Sequence, residues 1–462
     1  MSTTPEITAI SAVSSSVARA ITGRVVSIAV APDGAVLRHL HLNGGELSLT
    51  DRDGALVWSG DLDAFRRVRV LGAGKGAAPM AAALENLLGD RITDGLVVVK
   101  YGHDMPEGRT RRIRVLEGGH PVPDEAGARA AGAIVDMAQD CGADDLVLCV
   151  FTGGASALTP ALHPDIPLED MRRLTGLLLE CGATIHEINT LRKHLSRFSG
   201  GSLARAAFPA AVLGLIVSDV VGDDLDVIAS GPTVPDPSTF ADCLRVVERH
   251  GLRWKLPPTV WEHLEKGLQG LVPETPKADD PAFARTHNVL IASVRQALDA
   301  AADEAKKLGF APRILTTTMT GEARERAAEL AEEARRVQTA LRPGDTPICL
   351  LAGGETTVTI RGRGKGGRNQ EMALAATLAL ADDCGIDLVC VGTDGTDGPT
   401  DAAGGYAFSG DLARLRALGL MPKDRLDDND SYPLLQKAGT LLRTGPTRTN
   451  VMDMAIVLVR PK

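Results

Sequence analysis

The 462-residue chain is poor in aromatic residues, in paired cysteines and in long apolar runs. Phe, Trp and Tyr make up 3% of the residues, whereas apolar residues as a whole make up 44%. An apolar fraction drawn mostly from Ala, Leu and Val favours helices packed on buried parallel strands over an aromatic-rich sandwich. No run reaches the length of about 18 apolar residues that a membrane-spanning helix needs, and the N-terminus does not resemble a secretory signal. We therefore expect a globular α/β protein.

Basic residues are outnumbered by acidic ones, 50 Lys and Arg against 59 Asp and Glu. The formal net charge is −9 at pH 7, and no part of the sequence has the basic character of a nucleic-acid-binding domain. The seven cysteines include no C-x-x-C pair, and several lie within apolar runs. Such residues are typical of buried free thiols in a reducing compartment, so the expected location is the cytoplasm. We expect small molecules as partners, no nucleic acid and no membrane.

From Arg66 onward, short apolar runs alternate with Ala-rich amphipathic segments. This alternation predicts βαβ units and a mainly parallel, doubly wound sheet with helices on both faces. The segment 256–286 is rich in Pro, Lys, Glu and Asp, which predicts a surface excursion between an N-terminal domain (1–255) and a C-terminal α/β domain (287–462). The predicted strands are Val68–Leu71, Leu96–Val99, Ile113–Leu116, Leu146–Phe151, Val212–Val217, Val289–Ala292, Ile314–Thr317, Ile348–Ala352, Val358–Ile360, Leu388–Val391 and Ala455–Val459.

A glycine-rich turn is the first candidate for anion binding. The segment Gly72–Ala77 (GAGKGA) lies between a predicted strand and a predicted helix, where backbone N–H groups at a helix N-terminus bind anions. It also fits the G-x-G-x-x-A variant of the dinucleotide fingerprint, but the second strand ends in Val99-Lys100 instead of the acidic residue that would hold a ribose. Lys75 is therefore expected to bind an anion itself. The alternative is a tight turn with a solvated lysine.

Two further glycine-rich segments carry polar or cationic side chains. Thr152–Ser156 (TGGAS) follows an apolar strand, so its glycines allow close approach of a phosphate and Ser156 offers a hydroxyl donor. Gly362–Glu371 (GRGKGGRNQE) is predicted to be a mobile basic loop that runs into a helix, and the Arg368 guanidinium suits bidentate recognition of phosphate. A helix-capping serine in the first segment and a solvated hairpin in the second remain the alternatives.

Acidic residues follow predicted strands at two places. Gly392–Asp401 (GTDGTDGPTD) includes Asp394 and Asp397, and Asp219 follows the apolar run that ends at Val217. Ligands of open α/β sheets bind at such strand ends, and carboxylates near phosphate commonly hold Mg²⁺ or position a nucleophile. Asp-rich turns without a function are equally common, so both interpretations stay open.

Taken together, these motifs resemble the class II glycerate kinases, or glycerate 2-kinase family, some of whose members carry the older name hydroxypyruvate reductase. The resemblance covers nearly the whole chain from about Arg66 onward and is most specific at GGRNQE and GTDGTDGPTD. It departs from the family pattern at Thr152–Ser156, where SGGGS is more usual. The other matching motifs are Gly119–Pro123 (GHPVP), Asn189–Ser196 (NTLRKHLS), Ser218–Val220 (SDV), Ala229–Pro232 (ASGP), Gly353–Thr356 (GGET) and Thr444–Val451 (TGPTRTNV).

The resemblance implies that the γ-phosphoryl group of ATP is transferred to the 2-hydroxyl of D-glycerate, with Mg²⁺ or another divalent cation. It also implies an N-terminal Rossmann-like domain, a smaller C-terminal MOFRL domain and an active site in the cleft between them. Lys75 and Arg368 match residues regarded as functional in the family. Asp219 is a third catalytic candidate, and Asp219 and Asp394 are the metal candidates. The candidates for substrate or nucleotide binding are Gly74, Gly153, Gly154, Ser156, Lys193, Gly231, Glu355, Asn369 and Asp397.

Two other functions remain open from the sequence. An NAD(P)H-dependent hydroxypyruvate reductase is supported by the Gly72–Ala77 fingerprint and disfavoured by the absent ribose carboxylate. A non-catalytic sensor of a phosphorylated metabolite is the third hypothesis, although no output domain is visible. A homodimer is left open.

Overall fold

Two α/β units make up the part of the chain that the computed structural model describes, which is residues 16–23, 31–105, 109–380 and 385–462. The first unit is Pro32–Ile291, and the second combines Ala292–Lys462 with Met1–Ala31. Residues 16–23 of the second unit are helical (α1). Among the described helices, none combines the length and the apolar character that crossing a membrane requires.

The first unit contains a three-stranded antiparallel sheet and a six-stranded sheet. The strands are β1 (Leu40–Asn43), β2 (Glu46–Thr50), β3 (Leu56–Asp61), β4 (Arg67–Ala73), β5 (Asp94–Lys100), β6 (Ile113–Gly118), β7 (Asp145–Phe151), β8 (Ala211–Val217) and β9 (Thr286–Ala292). The helices are α2 (Pro32–His39), α3 (Ala77–Leu88), α4 (Glu125–Gln139), α5 (Ala155–Leu158), α6 (Leu168–Glu180), α7 (Ile185–His194), α8 (Ser202–Ala207), α9 (Phe240–Arg249) and α10 (Pro258–Leu268).

The six-stranded sheet has the order β6-β5-β4-β7-β8-β9, and its first five strands pair in parallel. Every residue of β7 and β8 is buried, as expected when helices cover both faces of a parallel sheet. The five strands predicted from Val68 to Val217 are confirmed. The strand predicted at Val289–Ala292 also exists, but as β9 it belongs to this sheet rather than opening the second unit.

Asp145, at the start of β7, is a fully buried carboxylate held by two arginines. Its oxygens accept hydrogen bonds from Arg66 (3.2 Å), Arg67 (2.6 Å) and the backbone N–H of Gly142 (2.8 Å). Burial by itself would raise the pKa of Asp145, but the bonds from Arg67, Gly142 and Arg66 outweigh it and hold the pKa well below its ordinary value. The carboxylate therefore stabilises the fold when it is ionised.

Replacing Asp145 with Asn should lower the free energy of unfolding of this unit by about 3 kcal/mol at pH 7, because two arginines lose their buried counter-charge. The folded-state pKa lies below the unfolded value, so the loss should be largest at neutral pH and should shrink as the pH falls below about 4. Urea unfolding followed by tryptophan fluorescence measures this, since all three tryptophans lie in Pro32–Ile291. The exposed neighbour gives the control Asp144→Asn, and equal losses in both variants would contradict the prediction.

The segment 256–286 packs more closely than its composition predicts. It begins with α10, whose Val260 is buried, and farther on Thr275 is buried and donates a hydrogen bond to Asp236 at 3.0 Å. Leu271, between them, is 70% exposed. The segment therefore lies on the surface only in part, because polar side chains within it satisfy buried groups of the first unit.

The second unit contains a mixed six-stranded sheet of order β10-β11-β15-β12-β13-β14. Its strands are β10 (Ala311–Met319), β11 (Ile348–Gly354), β12 (Ile386–Gly392), β13 (Gly404–Ala407), β14 (Leu441–Leu442) and β15 (Asp453–Val459). Its helices are α11 (Val294–Lys307), α12 (Ala323–Ala340), α13 (Arg368–Leu380), α14 (Asp411–Ala417), α15 (Pro422–Asp427) and α16 (Ser431–Ala438). The C-terminal β15 runs antiparallel between β11 and β12, and all of its residues are buried.

The strand predicted at Val358–Ile360 is wrong. Ile360 is 79% exposed, and the nearest pairing is an isolated bridge between Thr357 and Glu322. The next backbone N–H groups, those of Arg361 and Gly362, donate to the Asn429 side chain at 2.7 and 3.0 Å. A side chain from another segment thus satisfies the backbone where a neighbouring strand was expected.

Candidate active site

The predicted anion-binding turn after β4 is tied to the loop after β7. The backbone N–H of Lys75 donates to the Gly153 carbonyl at 2.9 Å, and that of Gly76 donates to Thr152 Oγ1 at 2.9 Å. Gly74 has φ +132°, and a side chain there would collide with Thr152. Glycine is thus required for two loops at the carboxyl ends of parallel strands to touch, which is where open α/β sheets bind ligands.

The Lys75 side chain and the neutral His120 ring lie together at Gly154. A Cβ atom placed on Gly154 would lie 3.0 Å from His120 Nε2 and 3.5 Å from Lys75 Cγ. Burial and, next, the charge of Lys75 lower the pKa of His120 to about 4, so the imidazole is neutral at pH 7. None of the ion pairs in the described part of the chain involves Lys75. Within those residues, the ammonium group therefore has no counter-charge.

A cavity of about 440 Å³ adjoins this group within the first unit. Its polar lining includes His120, Ser156, Arg172, Thr175 and Arg192, and none of the described residues that line it is a carboxylate. Apolar wall atoms come from the cis-proline turn at Pro121 and from α6. A cavity with cationic and no anionic side chains is suited to a small organic anion.

Ser156 presents an acceptor to this cavity. Its hydroxyl lies 2.8 Å from Ser230 Oγ, and Ser230 Oγ donates to Asn189 Oδ1 at 3.3 Å. A hydroxyl has one hydrogen, so Ser156 must be the donor in the bond to Ser230. In this arrangement the Ser156 hydrogen is used and its oxygen is left as an acceptor, while the role of Ser156 as a phosphate donor stays a prediction.

Asp219 is the second residue after β8 and lies against the Gly153 backbone. A side chain at Gly153 would collide with the Asp219 carboxylate, so glycine permits this approach. The structure thus brings together Gly74, Lys75, Gly153, Gly154, Ser156 and Asp219 at the ends of β4, β7 and β8.

Lys193 and Gly231 lie behind this group in a charged, buried layer. The Lys193 ammonium is 3.0 Å from Asp226 and 3.4 Å from Asp236, and its side chain is only 4% exposed. Gly231 has φ +60°, and a Cβ atom there would crowd the Asp226 backbone. Because its charge is compensated, Lys193 stabilises this layer, whereas Lys75 remains available for a ligand.

In the second unit, Arg368 is the first residue of α13 and is held by two carboxylates. Its Nε and Nη2 donate to Asp453 at 2.6 and 3.1 Å, and its Nη1 lies 2.7 Å from Glu355. Burial alone would lower the pKa of Arg368, but Asp453 and Glu355 raise it. A guanidinium has five N–H donors, so two remain after these three contacts.

Asp453 and Asp397 are the buried acids beside Arg368. Burial raises the pKa of Asp453 to about 6, while Arg368 and Asn369 donate to its oxygens. Asp397 accepts the backbone N–H groups of Asn369 and Gln370 at 3.1 and 2.8 Å, which caps the start of α13. Asp397 and Asn369 therefore orient the helix end from which Arg368 projects.

The glycine-rich segment before Arg368 is not the mobile loop that its composition predicts. The backbone N–H groups of Arg363 and Lys365 donate to Asp428 and Asp430, each at 3.0 Å. Side chains at Gly362 and Gly364 would collide with the 428–430 backbone. The glycines therefore serve close contact between two protein segments, which accounts for their density without a phosphate.

Asp394, the second metal candidate, is half-buried after β12. One of its carboxylate oxygens accepts from the Thr396 N–H at 2.9 Å and from the Thr396 hydroxyl at 3.1 Å. Across the described ranges, no three His, Cys, Asp or Glu side chains are arranged to hold a metal ion. A cation site built from protein side chains alone is therefore not found there.

Both parts of the chain match families of known proteins. Residues 17–265 match the family model described as a domain of unknown function, DUF4147, and residues 348–453 match the MOFRL family. The glycerate 2-kinase of Pyrococcus horikoshii is 44% identical over 89% of this chain and 91% of its own length. The chain belongs to the glycerate kinase family.

One relative has a solved structure with the same fold, and another carries a different name. The crystal structure of a glycerate kinase from Thermotoga maritima has a TM-score of 0.84 and 39% identity, covering 96% of this chain and 99% of that one. An Agrobacterium vitis protein that carries the name hydroxypyruvate reductase is 42% identical over 85% of this chain and 87% of its own length. The predicted family and the α/β fold class are confirmed.

Two residues with strong structural arguments for a role in this glycerate kinase family member were missed in the sequence. Arg192 lines the cavity and Asp453 holds Arg368. Both lie inside the matching motifs or beside them, Arg192 in NTLRKHLS and Asp453 two residues after TGPTRTNV. The detectable signal was a charged residue within a motif, but nothing local distinguished Arg192 from its neighbour Lys193.

Proposed function

We propose that this chain is a glycerate 2-kinase, which transfers the γ-phosphoryl group of ATP to the 2-hydroxyl of D-glycerate and releases 2-phosphoglycerate and ADP. The observation that carries the proposal is Lys75, which has no ion-pair partner in the described chain and whose Cγ packs at Gly154, a residue that lines a cavity without carboxylates. Such a site favours an anionic hydroxy acid and the negative charge of a phosphoryl group. The names of the relatives agree with it.

In this reaction the bond from phosphorus to ADP breaks as the bond to the 2-oxygen forms, and the hydroxyl proton leaves to a base. We assign Lys75 to negative charge on a phosphoryl group, and Arg368 is the catalytic candidate of the second unit for the same kind of charge. Asp219 is the candidate base or metal ligand, because its carboxylate lies at the Gly153 loop beside Lys75. Asp394 is the second metal candidate.

A divalent cation fits these residues. Mg²⁺ bound with a nucleotide takes most of its ligands from phosphates and water, so one or two protein carboxylates are enough. Asp394 has one oxygen engaged by Thr396, and within the described chain no hydrogen bond engages the other oxygen. When bound, the ion would neutralise charge on the phosphates.

The reductase alternative is disfavoured by the second strand of the sheet. β5 pairs in parallel with β4 and ends at Lys100, where a dinucleotide site requires an acidic residue for the ribose. The charge of Lys100 is also one of the causes of the low pKa of His120. A cation therefore lies where a dinucleotide site would have its acidic residue. A nicotinamide dinucleotide therefore lacks its usual anchor.

The test is an assay of the purified chain with ATP, Mg²⁺ and D-glycerate. We expect ATP-dependent formation of a product that enolase converts directly, since enolase acts on 2-phosphoglycerate and not on the 3-isomer. Chelation of the metal should abolish turnover. Oxidation of NADH with hydroxypyruvate, in the absence of ATP-dependent turnover, would contradict the proposal and support the reductase.

We also place the enzyme in the cytoplasm, in keeping with the free state of the cysteines that the described ranges include. Light scattering on the same preparation measures the oligomeric state, for which the sequence left a homodimer open.

A further inference from the structure

Arg192 is a second cation at the cavity beside Gly154, and it lacks a counter-charge among the described residues. It lies on α7, is half-buried, and has one hydrogen bond within the described chain, to Thr175 Oγ1 at 3.4 Å. Arg172, which lines the same cavity, differs because it contacts Glu125 at 3.2 Å, Glu169 at 3.3 Å and the Pro123 carbonyl at 2.8 Å.

Keeping the Arg192 guanidinium half-buried without a carboxylate partner destabilises the folded protein unless an anion binds there. Burial lowers the pKa of Arg192, and no charge in the described part of the chain opposes that effect. The next residue, Lys193, is more deeply buried but has two carboxylate partners. A half-buried guanidinium that lacks such a partner gains most from an anionic ligand, which can accept two parallel N–H bonds.

Ser156 adds an acceptor to the same cavity. Because its hydrogen is donated to Ser230, its oxygen retains a lone pair for a donor from a ligand. A cation for a carboxylate and an acceptor for a hydroxyl together match the two functional groups of a small hydroxy acid.

We propose that Arg192 binds the carboxylate of the hydroxy-acid substrate and that Ser156 accepts a hydrogen bond from one of its hydroxyls. The inference rests on the proposed function, because it identifies the cavity as the place where that substrate binds. It orients the acid with its carboxylate at Arg192 and with the 2-hydroxyl, on the adjacent carbon, facing Gly154, where Lys75 lies. Lys75 is then left for the phosphoryl group.

The first test is kinetic. Arg192→Gln should raise KM for D-glycerate by about 10- to 100-fold, the usual effect of losing a hydrogen-bonded charge pair, while KM for ATP should change little. Arg192→Lys should recover part of the loss, since it restores charge without the planar fork. Ser156→Ala should raise the same KM by about fivefold. Arg173→Gln, on the exposed face of α6, is the matched control.

The second test is calorimetric binding without ATP, with D-glycerate and inorganic phosphate as separate probes. We expect wild-type protein to bind D-glycerate and Arg192→Gln to lose about 10-fold or more in affinity for it. Loss of phosphate binding with unchanged D-glycerate binding would overturn the inference, because the cation would then serve a phosphoryl group.

The two proposals fail in different ways. If the wild-type enzyme phosphorylates D-glycerate and Arg192→Gln has an unchanged KM for it, the inference is overturned. The kinase function is then still supported. Arg192-dependent binding of D-glycerate without any phosphoryl transfer supports the inference and removes the kinase function. If wild-type protein does not bind D-glycerate at all, the inference is overturned.

Discussion

Alanine in place of Arg368 should lower kcat by about 100-fold or more, with a smaller change in either KM. The guanidinium is fixed by Asp453 and Glu355, and two of its five N–H donors remain for a phosphoryl group. Donors that are already oriented stabilise charge as it develops in the transition state without reorganising. Initial rates measured at saturating ATP and D-glycerate separate kcat from the two KM values.

Two further variants make this result specific. Arg368→Lys should recover little of the activity, because an ammonium cannot contact Asp453, Glu355 and a phosphoryl group with one planar fork. Arg363→Ala is the matched control, since that side chain is exposed in the same segment and only its backbone is anchored, to Asp428. A kcat for Arg368→Ala within a factor of about three of wild type would remove Arg368 from the chemistry.

Removing Arg368 also leaves Asp453 buried with one fewer partner. The carboxylate, whose pKa burial already raises to about 6, would then keep only the Asn369 amide among its side-chain donors in the described chain. Circular dichroism and a thermal unfolding curve of Arg368→Ala therefore belong beside the rates. A loss of kcat in a protein with wild-type secondary structure reports on catalysis rather than folding.

The elements that could be predicted are those whose signal is local. Strands β7 and β8 are continuous buried apolar runs, and helix α4 buries residues spaced three and four apart, from Gly127 to Ala138. The turn at Gly74 could be predicted because a lysine between glycines at a helix start is typical of an anion-binding turn. Local chemistry was sufficient in each case.

What could not be predicted depends on contacts between distant segments. Val358–Ile360 has a strand-like composition, yet Asn429 satisfies the backbone that follows it. The glycines before Arg368 suggested a phosphate loop, but the 428–430 backbone fills the space beside them. Neither partner can be inferred from the segment itself.

Whether a cation has a carboxylate partner also depends on distant segments of the chain. Arg192 and Lys193 are adjacent cations on one helix, and the sequence singled out Lys193. In the structure, Asp226 and Asp236 compensate Lys193, whereas no carboxylate faces Arg192 in the described chain. Which of two neighbouring cations is available for a ligand is decided by residues dozens of positions away.

Methionine in place of Lys75 should lower kcat/KM for D-glycerate by about 100-fold or more. Lys75 lies on a turn held by the Gly153 carbonyl, and its ammonium has no protein counter-charge in the described chain. Removing it therefore takes charge from the ligand without breaking an ion pair, and the fold should be unaffected. Steady-state rates with wild type and Lys75→Met measure the loss.

A second measurement tests whether the positive charge of Lys75 lies near His120. The charge of Lys75 is the second cause, after burial, of the low pKa of His120, about 4. Protonation of His120 becomes easier when a neighbouring cation is removed, so its pKa should rise in Lys75→Met towards the ordinary value of about 6.5. NMR titration of the histidine ring protons measures this, with His120→Gln used to assign the signal.

Lys100→Met is the matched control: it should also raise the pKa of His120, but with kcat/KM within a few-fold of wild type. Loss of activity without any change in the His120 titration would place Lys75 elsewhere, and a risen pKa with unchanged activity would show that the ammonium group borders the site without binding its anion.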